Sequence, residues 1–507
     1  MNQAPAPAHP LLRRAKPIVM RVPPLRRLPR ADLAASLVVF LVALPLCVGV
    51  AVASGVPAEL GLVTGIVGGL VAGLLPGSSL QVSGPAAGLT VLVAEAVATY
   101  GVAALGIIVA GAGILQLLLG VLRFGRWFRA ISIAVVQGML AGIGLVIIAG
   151  QVYAMADLTA PQSGLAKIAA LPGLVVGIFG SAQSLSAFAI GAGTILILLL
   201  WPFAPARLRV VPGALVAVAL ATAVVLIADL PVAKVEVRGL LAAIQPPSLG
   251  SFGQLRDLAL IGTVLAFALI ASAESLFSAA AVDRMHDGPR TDYDRELIAQ
   301  GAGNTLCGLL GALPMTAVIV RSAANVQAGA KTRASRVLHG VWLLLFAALM
   351  PALLGIIPVA ALAGVLVHAG CKLLPTSTLI ALWRQNRGEA VVLLTTAAAI
   401  VAVNMFEGVL IGLLLAVVKT AWETSRLQTA VEDRDGRPIR VTLTGNATFL
   451  RLPRILDTLD AIPADRPVEL DLTGVHHLDH ACRTALQGWA ERHGVADRVP
   501  VRIIPAA

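Results

Sequence analysis

Two charged side chains stand inside long apolar stretches of this sequence and are the first candidates for chemistry. Glu274 interrupts the run LIASAESLFSAAAV, and Arg321 follows the proline-broken segment ALPMTAVIV. A charge left at the centre of a hydrocarbon layer costs on the order of a few kcal/mol on insertion scales, so such a residue faces a partner, a cavity or a transported ion. The stretch from Leu269 to Arg336 is therefore predicted to contain an ion path.

The composition of the chain points to a membrane protein. Of 507 residues, 58% are hydrophobic and only 13% are charged, and the mean hydropathy is +0.88. This leaves too little polar surface to cover a soluble core of that size. The 49 glycines and the 4% of aromatic residues favour helices packed through small residues over a β-barrel, whose spans alternate in polarity.

The net charge of +11 does not indicate a nucleic-acid partner. The basic residues lie at the ends of apolar runs, which is typical of the positive-inside rule in a lipid bilayer. The four cysteines are scattered without a CxxC spacing, so we expect no metal site and no disulfide framework. No nucleophile–base pair or phosphate-binding loop is present, so we expect neither an enzyme nor a cofactor.

The apolar runs predict about fourteen membrane spans, seven in each half of the chain. Residues 167–179 and 374–382 are ambiguous and fit either interfacial helices or parts of spans. The predicted spans are 33–53, 58–75, 86–99, 102–121, 131–150, 184–201 and 211–229, then 258–282, 295–312, 316–329, 336–354, 356–371, 388–403 and 405–422.

Basic residues follow the even-numbered spans, so we expect both termini in the cytoplasm and a multi-pass protein of a bacterial-type plasma (inner) membrane. The predicted domains are a basic N-terminal tail (1–30), a first repeat (31–230), an extracytoplasmic connector (231–256), a second repeat (257–427) and a linker with a small soluble domain (428–507).

The third span of each half is short and follows a proline, Pro85 in one half and Pro314 in the other. An odd number of spans per half inverts the second copy, so the two half-helices are expected to meet near the midplane with facing N-termini, as in secondary transporters. Proline is tolerated at a helix start, and Ser83 is a candidate N-cap. The free N–H groups and dipoles of the two helix ends would attract an anion. Two ordinary kinked helices are the alternative.

Four motifs resemble the SulP (sulfate permease) family of anion transporters: ALPLCVGVAVASG, LQVSGPAAGLTV, ASAESLFSAAAVDRM and GALPMTAVIVRSAANVQAGAKTRASRVLHG. The resemblance covers most of residues 31–425. It implies a polytopic α-helical membrane protein with a seven-plus-seven inverted repeat, in which a core domain (spans 1–4 and 8–11) moves against a gate domain (spans 5–7 and 12–14). It also implies a homodimer.

The resemblance further implies where the anion would bind, between the N-termini of the third and tenth spans. Backbone amides would form most of that site, and Arg321 would add positive potential, with snorkelling or helix packing as its alternative role. The implied substrate-binding residues are Gly84, Pro85, Ala86, Val318, Ile319, Val320 and Arg321.

Glu274 matches the acidic position that the family associates with a coupling cation. A carboxylate in a dry cavity can load and release H⁺, or it can stay charged and hold Na⁺ with oxygens such as those of Ser278 and Thr316. The sequence leaves the choice open, and a purely structural glutamate is the remaining alternative. One departure weakens a sulfate assignment: Pro45 is followed by Leu46 where many relatives have glutamine.

The C-terminal tail changes to a soluble pattern. IRVTLTG, VELDLTG and VRIIPA predict strands separated by helices, with VEDRDGRPIR as a linker. This small α/β unit resembles a shortened STAS domain. The phosphorylatable serine of that family is missing from the segment Asp479-His480-Ala481-Cys482.

These features together predict a secondary active transporter of small inorganic anions, bicarbonate or sulfate, that works as a symporter driven by H⁺ or Na⁺ through alternating access. Three alternatives stay open: a transporter of C4 dicarboxylates such as fumarate, a non-transporting anion-binding membrane sensor, and a nucleobase permease. The third fits less well because Ala86, Val318 and Val320 offer no side chains to pair with base edges.

Overall fold

The structure is a computed structural model that describes residues 29–505, with the exception of residues 131, 162, 206, 210, 248–256, 434–436 and 498–499. It divides into two compact units, Met1–Ile411 and Gly412–Ala507. The predicted basic tail, residues 1–30, lies almost wholly outside the described residues. The second part of the predicted connector, 248–256, lies outside them too.

Each of the seven spans predicted in the first half contains a helix. The ambiguous stretch 167–179 forms short helices of its own, separate from the span that follows. The helices are α1 (Arg30–Ala53), α2 (Ala58–Val67), α3 (Thr90–Tyr100), α4 (Val102–Val121), α5 (Ile133–Ala154), α6 (Gly164–Ala169), α7 (Leu171–Gly180), α8 (Ala182–Leu200) and α9 (Gly213–Ile227). A π-helical turn, Gly68–Ala72, extends α2, and a 3₁₀ turn, Ala87–Leu89, leads into α3.

The second half repeats the pattern, and residues 376–382 of the ambiguous stretch 374–382 lie in a short helix, α16. The helices are α10 (Leu240–Ala243), α11 (Leu258–Val282), α12 (Tyr293–Leu309), α13 (Ile319–Gln327), α14 (Ala334–Leu349), α15 (Val359–Leu373), α16 (Thr376–Gln385), α17 (Arg387–Ala402) and α18 (Met405–Thr424).

Seven helical segments within the described residues are long and apolar enough to cross a membrane. They are built on α1, α4, α5, α8, α11, α15 and α18. The helices α3 and α13 are shorter, with 11 and 9 residues, because each starts part of the way along its span.

Small residues bring neighbouring helices close, as the glycine content predicts. A Cβ added to Gly69, in the π-helical turn after α2, would lie 2.6 Å from the Cα of Gly340 on α14. A Cβ added to Gly301 on α12 would lie 2.6 Å from the backbone nitrogen of Leu117 on α4. Only glycine fits such contacts between helix backbones.

The helices pack in two groups whose members coincide with the expected core and gate. In the first group α4 packs on α11 and α12, and α14 packs on α1 and α2. In the second group α5 packs on α15 and α17, and α8 packs on α9 and α15. Helix α1 also contacts α9 and α15, so it lies at the boundary between the two groups.

Two three-residue strands form the centre of the first group. They are β1 (Ser83–Pro85), before α3, and β2 (Met315–Ala317), before α13. They pair antiparallel with Ser83 opposite Ala317, Gly84 opposite Thr316 and Pro85 opposite Met315. We call this pair the central ribbon.

The C-terminal unit is a four-stranded sheet with two helices. Its elements after α18 are β3 (Leu427–Glu432), β4 (Ile439–Ala447), α19 (Leu452–Asp460), β5 (Val468–Leu478), α20 (His480–Asp497) and β6 (Val501–Ile504). The strand order is β3-β4-β5-β6, with β3 antiparallel and the other pairs parallel. The predicted strand–helix alternation is confirmed.

One prediction for the C-terminal unit is wrong. The predicted linker, 431–440, begins too early, because Val431 and Glu432 belong to β3. Ile439 and Arg440 begin β4, as the predicted strand IRVTLTG requires. The strand β3 was not predicted because it is an edge strand among the described residues and most of its side chains are exposed. Its sequence therefore shows no apolar alternation.

The segment that differs from the STAS pattern serves to begin a helix. Asp479 Oδ1 accepts a hydrogen bond of 2.7 Å from the backbone N–H of Cys482, in the first turn of α20. On the sheet, hydrogen bonds from Thr473 and Arg440 hold the pKa of Asp471 at about 2, below its usual range. Both carboxylates therefore have local structural partners.

Candidate functional site

The central ribbon sets the relative position of α3 and α13. Because its strands are antiparallel, the chain leaves β1 towards α3 at one end and leaves β2 towards α13 at the other. Two residue rises separate the ends of each strand, a distance of ~7 Å. The two helix N-termini are thus held close together, and the two helices run away from the ribbon in opposite directions.

Neither helix start is capped by a side chain within the described residues. The first N–H groups of a helix have no intrahelical partner, and they carry the positive end of the helix dipole. Two such ends on one ribbon form an anion-attracting region.

The prediction that Ser83 caps the third span is wrong. Ser83 lies inside β1, and its hydroxyl oxygen accepts a hydrogen bond of 2.7 Å from Gln300 Nε2 on α12. Pro85 is likewise the last residue of β1 rather than the first of a helix. The chain stays extended here because β1 pairs with β2, so helical structure begins at Ala87.

Side chains from α11 and α12 satisfy the outward-facing peptide groups of β2. Asn304 Oδ1 accepts a hydrogen bond from the Met315 N–H at 2.7 Å, and Asn304 Nδ2 donates to the Met315 carbonyl at 3.0 Å. At Ala317, the N–H donates to Ser275 Oγ at 3.3 Å, and the carbonyl accepts from Ser278 Oγ at 2.9 Å. Buried backbone groups need such partners.

The residue before β1, Val82, is hydrogen-bonded to the beginning of α13. The Val82 N–H donates to Ser322 Oγ at 2.9 Å, and the Val318 N–H donates to the Val82 carbonyl at 2.9 Å. The beginning of α13 is therefore tied to the residue that precedes β1, which couples the two halves of the site.

Glu274 lies against the beginning of α3. A Cβ added to Gly88 would lie 2.7 Å from Glu274 Oε1 and 3.0 Å from Oε2, so the carboxylate packs directly on the first helical turn. The Thr316 side chain of β2 interacts with the same carboxylate. Glu274 Oε2 is shielded from solvent and has no hydrogen-bond partner among the described residues.

An unpartnered carboxylate oxygen in a buried site is costly while it is charged. A proton or a metal cation on that oxygen would remove the cost. The position of Glu274 therefore fits a carboxylate that binds a cation beside the N-terminal end of α3, which we call the tip of that helix.

Arg321 lies in the first turn of α13 and is fully buried. Its Nη2 donates to the Pro85 carbonyl at 3.3 Å, and its guanidinium packs on Gly84. Nε and Nη1 have no hydrogen-bond partner within the described part of the chain. The guanidinium thus faces the backbone of β1 and is not exposed.

The structure brings the predicted site residues together on and around the ribbon. Gly84, Pro85 and Thr316 form its paired strands, and Ala86 and Val318 are the residues from which the 3₁₀ turn and α13 begin. Ile319 and Val320 are 36% and 45% exposed. Their apolar side chains therefore do not pack against the ribbon. The polar groups that these two residues contribute are those of the backbone in the first turn of α13.

The sequence-based prediction did not include the polar residues that support the ribbon, among them Gln116, Asn304 and Ser275. All three are buried. A signal was present, because Gln116 interrupts an apolar run and Gln300 and Asn304 are four residues apart on one helix face. Such residues in a membrane span are themselves candidates for functional positions.

A polytopic bundle of apolar helices, in which two helices break at a shared central ribbon, is the architecture of a secondary transporter. The chain belongs to the sulfate permease family, because its residues 30–396 match the model of that family.

Two relatives illustrate the family. A protein named as a putative sulfate transporter, YvdB of Bacillus subtilis, is 30% identical over 76% of this chain and 72% of its own length. A protein named as the bicarbonate transporter BicA, from Synechocystis, is 25% identical over 82% of this chain and 77% of its own length.

Solved structures agree on the fold. The transmembrane domain of a cyanobacterial bicarbonate transporter, BicA, superimposes with a TM-score of 0.65 at 23% identity, covering 76% of this chain and 97% of that domain. The structure of SLC26A9 gives a TM-score of 0.77 at 15% identity, covering 94% and 83% of the two chains. These likenesses confirm the polytopic α-helical fold predicted from the sequence.

Proposed function

We propose that this protein is a secondary active transporter that carries a small inorganic anion, bicarbonate or sulfate, across the membrane together with H⁺ or Na⁺. The family and its named relatives are anion transport proteins rather than enzymes. The coupled mechanism rests on the geometry of the central ribbon.

The observation that carries the proposal is the contact between Glu274 and Gly88. The carboxylate packs on the 3₁₀ turn that leads into α3, where an uncapped helix end also favours a substrate anion. Two negative charges in one poorly hydrated place repel each other strongly. Anion binding is therefore favoured when Glu274 has been neutralised by a cation.

This competition gives a physical basis for symport. A proton or Na⁺ on Glu274 removes the repulsion, and the anion then occupies the region between the two helix tips. Release of either ion weakens the binding of the other, because the coupling free energy between two sites is reciprocal. The side chains of Ser278 and Thr316 would supply the further oxygens that Na⁺ requires.

The movement of the site is proposed to follow the two helix groups. The group that contains α4, α11 and α12 would carry the ribbon together with α3 and α13, which pack against this group. The group that contains α5 and α17 would form the opposing wall, in line with the predicted core and gate domains. Both termini are proposed to lie in the cytoplasm, and the protein is proposed to work as a homodimer.

The proposal is tested by uptake into proteoliposomes. Labelled bicarbonate, sulfate and fumarate are offered separately, each with an inward H⁺ gradient, an inward Na⁺ gradient or neither. We expect uptake of bicarbonate or sulfate that one of the two gradients accelerates. Uptake of fumarate alone would favour the dicarboxylate alternative, and no uptake of any anion would favour the sensor.

A further inference from the structure

Asn304 forms an unusual pair of hydrogen bonds with β2. Its carboxamide accepts from the N–H and donates to the carbonyl of the same residue, Met315, at 2.7 and 3.0 Å. A neighbouring strand would bind Met315 in the same way. The side chain of Asn304 thus takes the place of a third strand at the edge of the central ribbon.

A side chain is needed there because of the ribbon's register. Gly84 faces Thr316, and the Val318 N–H reaches the Val82 carbonyl, so alternate residues of this segment bond to the β1 side. The peptide groups of Met315 and Ala317 therefore point away from β1. Ala317 is bound by two serines of α11, and Met315 depends on Asn304.

Asn304 is in turn held by Gln116 of α4. Asn304 Nδ2 donates to Gln116 Oε1 at 2.7 Å, and Gln116 Nε2 donates to Ser272 Oγ at 3.2 Å. Gln116 and Ser272 are fully buried, and Asn304 is 1% exposed. These bonds form a relay from Ser272 through Gln116 and Asn304 to Met315.

The Ser272 end of this relay lies two residues before Glu274 in the sequence. Ser272 and Glu274 lie on the same helix, α11, and Met315 begins the strand that leads into α13. The relay therefore connects the helix that carries the acidic residue with the segment that places the second helix tip.

We propose that Asn304 and Gln116 are positioning residues that fix the distance between Glu274 and the tip of α13, and so set the affinity for the anion. This inference rests on the proposed transport function. A purely structural network would stabilise the bundle without a particular effect on the anion site.

The test compares Asn304→Ala, Gln116→Ala and the double variant with Ser36→Ala as the matched control. Ser36 is also fully buried, and its hydroxyl joins two helices by accepting from Trp342 Nε1 at 3.1 Å, but it does not touch the ribbon. Each full-length variant is reconstituted, and the KM and maximal rate of anion uptake are measured together with the melting temperature.

We expect Asn304→Ala to raise the KM for the anion about tenfold, the size of effect that follows from the loss of one or two buried hydrogen bonds. Gln116→Ala should raise it less, and the double variant should not exceed Asn304→Ala, because both substitutions break one relay. Ser36→Ala should lower the melting temperature and leave the KM unchanged. If Asn304→Ala does not fold, Gln116→Leu, which keeps the side-chain volume, takes its place.

Unchanged KM values in a relay variant that folds, or a KM increase in Ser36→Ala of the same size, would overturn the positioning role while leaving the transport function intact. Absence of anion uptake by the unaltered protein would overturn the proposed function, and this inference with it.

Discussion

The two half-helices occupy equivalent places on the central ribbon, yet their chemical surroundings differ. The 3₁₀ turn that leads into α3 contacts an acidic residue of another helix, Glu274, at Gly88. The first turn of α13 contains its own basic residue, Arg321, which reaches back across the ribbon to Pro85. The two half-helices therefore have equivalent backbone positions on the ribbon, but a different charged residue lies beside each of them.

The packing of the two helices differs as well. One face of α3 is buried in an apolar cluster that includes Leu92, Val93 and, from α5, Met139 and Ile143. At the start of α13, Ile319 and Val320 are exposed. The packing around the starts of the two helices therefore differs.

This asymmetry suggests that the two sides of the site have different functions. The α3 side would handle the cation, because it has a carboxylate that can be neutralised. The α13 side would supply positive potential from the guanidinium group of Arg321. Substitutions on the two sides should therefore affect different kinetic quantities.

The largest effect is expected on the α3 side, from Glu274→Gln. The amide keeps the shape of the side chain and cannot exchange a proton or hold Na⁺ by charge, so acceleration of anion uptake by the H⁺ or Na⁺ gradient should be lost completely. Gradient-driven uptake into proteoliposomes measures this. Wild-type acceleration in the variant would mean that coupling lies elsewhere.

The next largest effect is expected on the α13 side, from Arg321→Ala. Loss of the buried charge should raise the KM for the anion by roughly tenfold or more, since about 1.4 kcal/mol corresponds to a factor of ten. Arg321→Lys should retain part of the affinity, because it keeps the charge but loses the planar guanidinium that packs on Gly84. In both variants, the cation requirement should persist, which distinguishes them from Glu274→Gln.

A smaller effect is expected from Gly88→Ala. The added methyl group would come within 2.7 Å of Glu274 Oε1, so the carboxylate must move away from the helix tip. The cation concentration that gives half-maximal uptake should shift by a few fold, with little change in the melting temperature. Gly262→Ala, on the same helix as Glu274 but with no atom within 4 Å of the added carbon, is the matched control and should behave like wild type.

The smallest effect is expected from Ser322→Ala. Its hydroxyl accepts from the buried Val82 N–H and donates to the Val318 carbonyl. Loss of this contact should destabilise the protein by about 1 kcal/mol, seen as a modest fall in melting temperature. A cation requirement altered as strongly as in Glu274→Gln would contradict the assignment of separate roles to the two sides.

The sequence predicted the broken helices and the isolated acid because each has a local signature. Prolines 85 and 314 interrupt apolar runs, and Glu274 is the one charge in its span. The ribbon itself could not be predicted, since three residues per strand carry no alternation. Helical structure therefore starts later than the prolines suggest, at Ala87 and Ile319.

The supporting polar network was hidden for a different reason. Asn304 and Gln116 are separated by 188 positions in the chain, and nothing in a single sequence pairs residues at that distance. Each could be recognised as a polar residue in a membrane span, but the shared contact with β2 follows only from the packing of α4 against α12.

The most direct test of the central claim is to locate the anion. A structure determined in the presence of an electron-rich anion such as selenate, with the coupling cation present, should place the anion between the first turns of α3 and α13, within hydrogen-bonding distance of their backbone N–H groups. An anion bound elsewhere, with the two helix tips unoccupied, would contradict the account.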